Sequence, residues 1–335
     1  MLATQRVCDF GCISVLSSGL FSRDPRSCVR FSKYLDSTVR GTFSQTVDSR
    51  MKNRRPLAFV LMLLLSIALW WHSLIDTIRL ALENDAYTHI LLILPLACTL
   101  IYQDRAALAR TSQPNPSLGG LLLALALPAA ALAKWGQARM FDDVRLWVSM
   151  LGLVIGWSGI LIICFGTRTF RTLLFPICFL LFLAPLPESS VARVVDFLQQ
   201  QSANVARVLF QVARVPVTQD GVMLSIPDMD IAVAKECSSI RSSVVLVIMT
   251  MFMAHVVLRS WWRKMLLIAL SIPLSVIKNG LRIFAIVELG TRVNPWFIDG
   301  PLHHHGGIIF LGVALALIAL LTWLLRRSEP VATHA

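Results

Sequence analysis

The stretch AKECSSIRSSVVLVIMTMF, residues 234–252, decides how the rest of the chain is read. Within a few positions it passes from polar to continuously apolar, and the apolar run continues to about residue 258. A run of this kind, with no acid and no further basic charge after Arg241, reads as a membrane span. At its mouth stand one thiol, Cys237, and two cations, Lys235 and Arg241. A thiol in that position calls for an explanation.

The whole chain agrees with a membrane setting. It has 335 residues, 56% hydrophobic and 15% charged, with mean hydropathy +0.68. A soluble domain carries about 25% charged residues. Apolar segments stand at about 56–75, 88–103, 118–134, 146–165, 172–187, 242–258, 265–290 and 306–325. The expectation is an all-α integral membrane protein of about eight transmembrane helices. The seventh segment carries Lys278, Asn279 and Arg282 toward its C-terminal half.

The net charge of +12 does not imply nucleic acid, because the basic residues fall in short clusters between apolar runs. Lys52, Arg54 and Arg55 precede the first span. Arg105 and Arg110 follow the second, and Arg168 and Arg171 the fourth. Arg259, Arg263 and Lys264 follow the sixth, and Arg326 and Arg327 the eighth. If every span crosses once, all of these fall on one side, which the positive-inside rule makes cytoplasmic. Both termini are then cytoplasmic.

Three regions are expected: an N-terminal tail over 1–50, a transmembrane domain over 51–327, and a cytoplasmic tail over 328–335. The tail is either disordered or not translated, since MKNRRPLAFVLMLLLSIALWW from Met51 reads as an ordinary membrane-protein start.

The longest loop on the outer side runs from about 188 to 241. Its first half has Val191, Val194, Val195, Leu198, Val205, Val208, Leu209 and Val212 at helical spacing, so an amphipathic helix at the interface is expected. Its second half alternates and contains Asp220-Gly221, a hairpin signal. That small β-element delivers the chain to Cys237.

With this topology Cys237, Arg282 and the run His303-His304-His305 reach one depth zone at the outer face. Cys98, Cys164 and Cys178 fall within spans, which leaves Cys237 as an external thiol without a disulfide partner. A thiolate at a helix N-terminus near cations is a nucleophile. A histidine supplies general base and acid, and an arginine stabilises an oxyanion. Bland readings stand beside these. Cys237 can be a packing residue, Lys235 and Arg241 interfacial anchors, and Arg282 can snorkel or pair with Glu288. Asn279, one turn before Arg282, is placed to orient it. The consecutive histidines lack a carboxylate-rich partner set, so no metal is expected, and no phosphate loop, dinucleotide fingerprint or Cys-x-x-Cys pair implies a cofactor.

Taken in order, these residues resemble the exosortases and archaeosortases, multi-spanning membrane cysteine transpeptidases. The marks are Cys237-Ser238-Ser239-Ile240-Arg241-Ser242 opening a span, Asn279-Gly280-Leu281-Arg282 within a later one, and His303-x-x-x-Gly307 before the last. AYTHILLILP, residues 86–95, is similar to the family's Tyr-Ser-His segment, with Thr88 for Ser and His89 matching. Ser239 stands where the family usually has glycine. The resemblance covers about residues 51–327.

It implies Cys237 as nucleophile, Arg282 as oxyanion or carboxylate partner and His303 as acid/base, with His304 as fallback and Arg241, Asn279 and His89 in support. It also implies substrates that carry a C-terminal sorting signal of Pro-Glu-Pro type, transfer to an acceptor nucleophile that the sequence leaves unknown, and a link to exopolysaccharide in Gram-negative bacteria. Two other classes remain open on the residues alone: a transporter with Arg282 in its pathway, and a non-catalytic assembly protein for polysaccharide export. An S-acyltransferase is a weaker enzymatic rival, because such enzymes usually act at the cytoplasmic face.

Overall fold

The computed structural model describes residues 55–109, 113–135, 142–226, 229–232, 240–294 and 301–329. For 107, 109, 133–135, 229–232 and 301–306 the backbone alone is described. The expected tail over 1–50 lies outside these residues. By internal contacts the chain falls into two units, Met1–Met62 and Leu63–Ala335. Residues 55–62 are all that is described of the first unit, and they are helical.

The helices are α1 (Arg55–Leu69), α2 (Trp71–Glu83), α3 (Ile90–Gln103), α4 (Arg105–Ala109), α5 (Pro116–Trp135) and α6 (Asp142–Thr172). Then come α7 (Leu174–Phe179) and α8 (Glu188–Val212), and, after a small sheet, α9 (Ile240–Val257), α10 (Trp261–Arg292) and α11 (Pro301–Arg327). Among the described residues, five helical segments are long and apolar enough to cross a membrane, or up to seven if each of two bent pairs counts as one span. The expected eight spans are therefore not confirmed, for two physical reasons. The apolar part of α5, Pro116–Leu132, is a shorter helix. The expected span at 172–187 is a short helix and a 3-10 turn (Leu180–Leu183), with Pro185 following where the chain breaks toward α8.

Small residues set the tightest helix contact. A Cβ on Gly159 would stand 2.8 Å from the Gly119 carbonyl, and one on Gly156 would touch Ala126 at 3.5 Å. Backbones can approach this closely only where side chains are small, which is how apolar helices associate without a hydrophobic driving force. Between α1 and α2, Trp70 anchors a 69° bend by donating its indole N–H to the Ser149 carbonyl at 2.9 Å. Gly166, at φ +83°, interrupts α6 near its end.

The expected hairpin is present with one more strand. β1 (Thr218–Asp220), β2 (Met223–Ile226) and β3 (Met229–Ala232) form an antiparallel meander, with Asp220 opposite Met223. Gly221 takes the positive φ that the two-residue turn requires. Leu224 is buried with Phe210 of α8 and with Ile283 and Val287 of α10, which ties the sheet to both helices.

The amphipathic helix is also present, turned 94° from the segment before it. The apolar positions expected on it divide between two faces. Val195, Leu198, Gln199, Ser202, Ala203, Ala206 and Phe210 pack inward, whereas Val194, Val208 and Val212 point outward. The small residues face α10 because that crossing is close. The large ones form a second apolar face, the kind that suits lipid.

Candidate active site

Helices α9, α10 and α11 form one layer around Leu246, Ala254, Leu267, Ala314 and Ile318. Its two ends differ chemically. At one end α9 turns into α10 through Arg259 and Ser260, and Glu329, just past α11, accepts both of their backbone N–H groups. Asp104, beside Arg105, lies within Coulomb reach of Lys264, and Phe175, shortly after Arg171, stacks on His255. The basic groups around 105, 168–171, 259–264 and 326–327 thus gather at a single end, as the sequence pattern required.

The other end holds the candidate site, and the sequence explains why. Along α10, Ser271, Ser275, Lys278, Asn279 and Arg282 recur at helical spacing, and all are buried. The exposed face of the same helix carries Leu270, Ile272, Ile277 and Leu281. A polar stripe inside an apolar bundle is costly unless its members have partners. Here α9 supplies them from its first turn. Lys278 Nζ donates to Ser242 Oγ, and Asn279 Nδ2 donates to Ser243 Oγ at 3.3 Å.

These two contacts fix the antiparallel register of α9 and α10. Arg282, one turn beyond Lys278, therefore stands beside the N-terminal end of α9, three residues after Cys237 in sequence. It is 5% exposed. The helix continues ten residues beyond it to Arg292, about 15 Å at 1.5 Å per residue, close to the end expected from the apolar segment at 265–290. That extension packs under the sheet through Ile283 and Val287. The alternative partner for Arg282 is taken elsewhere, since Glu288 pairs with Arg292 at 2.6 Å.

The remaining candidates divide. Cys237 lies outside the described residues. His303 and His304 fall in the first turn of α11, so the expected loop is helix there, and their side chains lie outside the description. Thr322 Oγ1 is 3.5 Å from Met253 Sδ, and α11 runs alongside α9 from that contact. Carried back in parallel register, Ile240 is level with about Ile309, and His303 stands roughly 9 Å farther toward the sheet end. His303 and Arg282 thus come to the same end of the layer.

Arg241 is not part of the buried row. Its guanidinium pairs with Asp85 at 2.8 Å and holds the 3-10 turn Asp85–Tyr87 against the start of α9. His89 follows that turn, with Nδ1 hydrogen-bonded to the Ala86 carbonyl at 3.1 Å.

An apolar recess of about 490 Å³ opens beside these groups. His89, Phe182, Phe197, Ile240, Ser243 and Ser275 are among its lining residues, drawn from α8, α9, α10 and the segments that enter α3 and follow α7. Ser275 Oγ is buried in that wall and has no hydrogen-bond partner. The sequence reading missed Ser243, Ser275 and Asp85, and it named Ser242 and Lys278 without giving either a role. Lys278 four residues before Arg282 was the available signal, because two cations one turn apart inside a span are rare without a purpose.

A multi-pass helical membrane protein with a polar row at one end of its bundle, beside an apolar recess, is the class that fold and site define. A family model described as transmembrane exosortase matches residues 70–320, and the chain belongs to that family. Its general activity is that of a membrane sorting transpeptidase. No curated protein and no solved structure matches the chain.

Proposed function

We propose that the protein is a cysteine transpeptidase that cleaves C-terminal sorting signals of Pro-Glu-Pro type from exported proteins. The reading places it in the inner membrane of a Gram-negative bacterium, with residues 51–327 as its transmembrane domain. Both termini are cytoplasmic, the site faces outward, and the substrates accompany exopolysaccharide production. The observation that supports it most is the register of Arg282 with the N-terminal end of α9, the helix that Cys237 precedes by three residues.

In this reading the Cys237 thiolate attacks the scissile carbonyl carbon and a C–S bond forms. The carbonyl oxygen takes the negative charge, and the Arg282 guanidinium stabilises it. His303, or His304 in its place, gives a proton to the leaving nitrogen as the C–N bond breaks. The thioester is then attacked by an acceptor amine or by water, whose proton returns to the histidine while Cys237 leaves as thiolate. Asn279 holds the helix row beside Arg282 in place through Ser243. Arg241 fixes the start of α9, and His89 lines the recess.

The test is co-expression with a tagged substrate bearing such a signal, comparing wild type with Cys237→Ala at matched membrane levels. A mass shift in the wild type alone is expected, and the new C-terminus distinguishes hydrolysis from transfer. Equal processing by Cys237→Ala sinks the assignment.

A further inference from the structure

The proposed mechanism leaves one buried charge unused. Lys278 is 5% exposed, and its contacts are the Ser242 hydroxyl and the like charge of Arg282 one turn away. Among the described residues no carboxylate stands within ion-pair distance of it. Two described acids at this end are engaged elsewhere, Asp85 with Arg241 and Glu288 with Arg292. A buried ammonium that meets only a hydroxyl and another cation is strongly disfavoured unless an anion joins it. One turn before Lys278, Ser275 presents a buried, unpartnered hydroxyl to the apolar recess. Ser243 and Ser275 line the recess, and Lys278 with Ser242 adjoins that polar wall without lining it. A cation next to an apolar chamber describes a place for an acidic side chain on an otherwise apolar segment.

We propose that Lys278 is a specificity-determining residue that binds a carboxylate of the substrate peptide, carried on an acidic side chain close to the scissile bond. This rests on the transpeptidase reading and extends it. In an unmodified peptide the available anions are Asp, Glu and the C-terminus, and the last is remote from an internal cleavage point. The position follows from geometry. Lys278 lies four residues, about 6 Å, along α10 from Arg282, which holds the reacting carbonyl. An extended peptide advances roughly 3.3 Å per residue. The carboxylate is therefore one to two residues from the bond that breaks.

The experiment is a two-by-two comparison of processing rates in cells. Wild type and Lys278→Met are each paired with a substrate carrying Glu in its signal and with one carrying Gln there. Membrane levels are matched, and Cys237→Ala serves as the blank. Lys278→Gln is run alongside, so that a failure of one variant to insert leaves the other to decide. Wild type is expected to favour Glu over Gln by about tenfold or more. Both Lys278 variants are expected to bring the Glu-to-Gln rate ratio down to about one, whatever loss common to both substrates follows from breaking the Ser242 contact. Lys278→Arg, which keeps the charge, should keep the preference.

Equal losses on both substrates would make Lys278 a packing residue and overturn the proposal. So would a retained Glu preference in the variants, or no preference in the wild type. These outcomes leave the transpeptidase reading intact. Absent processing by the wild type, or processing that persists in Cys237→Ala, removes that reading and this inference with it.

Discussion

Gly280 of α10 and Val205 of α8 meet so closely that a Cβ added to the glycine would lie 2.5 Å from Val205 Cγ1 and 2.6 Å from its Cβ. The Ser202 carbonyl would stand 3.1 Å from the same atom. The crossing falls inside Asn279-Gly280-Leu281-Arg282, so the helix that bears the polar row is pinned by α8 at the row itself. Gly280→Val forces the two helices apart and should destabilise the protein by roughly 1–3 kcal/mol, the usual penalty of overpacking. Thermal unfolding in detergent reads this as a lowered Tm. Val205→Ala added to Gly280→Ala should recover part of the loss, because neighbouring residues couple. Equal Tm for wild type and Gly280→Val would show that α8 can shift away freely.

Arg282→Lys keeps a positive charge at the end of the row but replaces a planar fork with a point charge. If Arg282 binds the oxyanion, processing should fall by about 10²-fold, the scale of losing one such donor. Tm should change little, since a cation remains. A variant with wild-type processing would reduce Arg282 to a general electrostatic role.

The sequence was most informative where chemistry and periodicity coincide. The amphipathic helix, the Asp220-Gly221 turn, the grouping of basic clusters and the row containing Arg282 could all be read from residue spacing. The span count could not. Length and apolarity do not reveal that the segment near Pro185 breaks into a short helix and a 3-10 turn, nor that the end of α10 packs beneath a sheet. The inward face of α8 was hidden for a related reason. Hydrophobicity puts Val194, Val208 and Val212 on one apolar face with Val195 and Leu198, but Val205 and the Ser202 carbonyl meet Gly280, Ala203, Ala206 and Phe210 pack beside Ile283 and Val287, and those three valines stay outward. Ser242 and Ser243 were unremarkable as letters, and acquired meaning only opposite Lys278 and Asn279.

The ion pair between Arg241 and Asp85 is short but open to solvent, with side chains 55% and 83% exposed. Exposed pairs of this kind contribute about 0–1 kcal/mol. Asp85→Asn should therefore shift stability by less than about 1 kcal/mol, and added salt should shrink the difference further. If the pair serves to seat the start of α9, processing should fall more than stability does. Measuring both in one series of membranes separates the two effects. A stability loss of several kcal/mol would mean the pair is shielded from solvent in the membrane.

Glu329 offers a pH-dependent readout at the opposite end of the bundle. The Ser260 backbone N–H, at 2.9 Å, is the main cause holding its carboxyl below the usual carboxylate range. The Arg259 N–H at 3.0 Å and the Arg259 and Arg263 guanidiniums act in the same direction, and partial burial opposes them. A carboxyl whose folded pKa is depressed contributes stability that is fully present above its unfolded pKa, about 4.3 for a free glutamate. That contribution is lost as pH falls through the folded value. Wild type should therefore be more heat-stable than Glu329→Gln at pH 7, and the gap should begin to close below about pH 5 as protons bind the unfolded chain. Tm of the two proteins across that range checks it. A gap that stays constant into acid would mean that the last turn of α11 is held by packing of Leu321 and Leu325, with no contribution from the carboxylate.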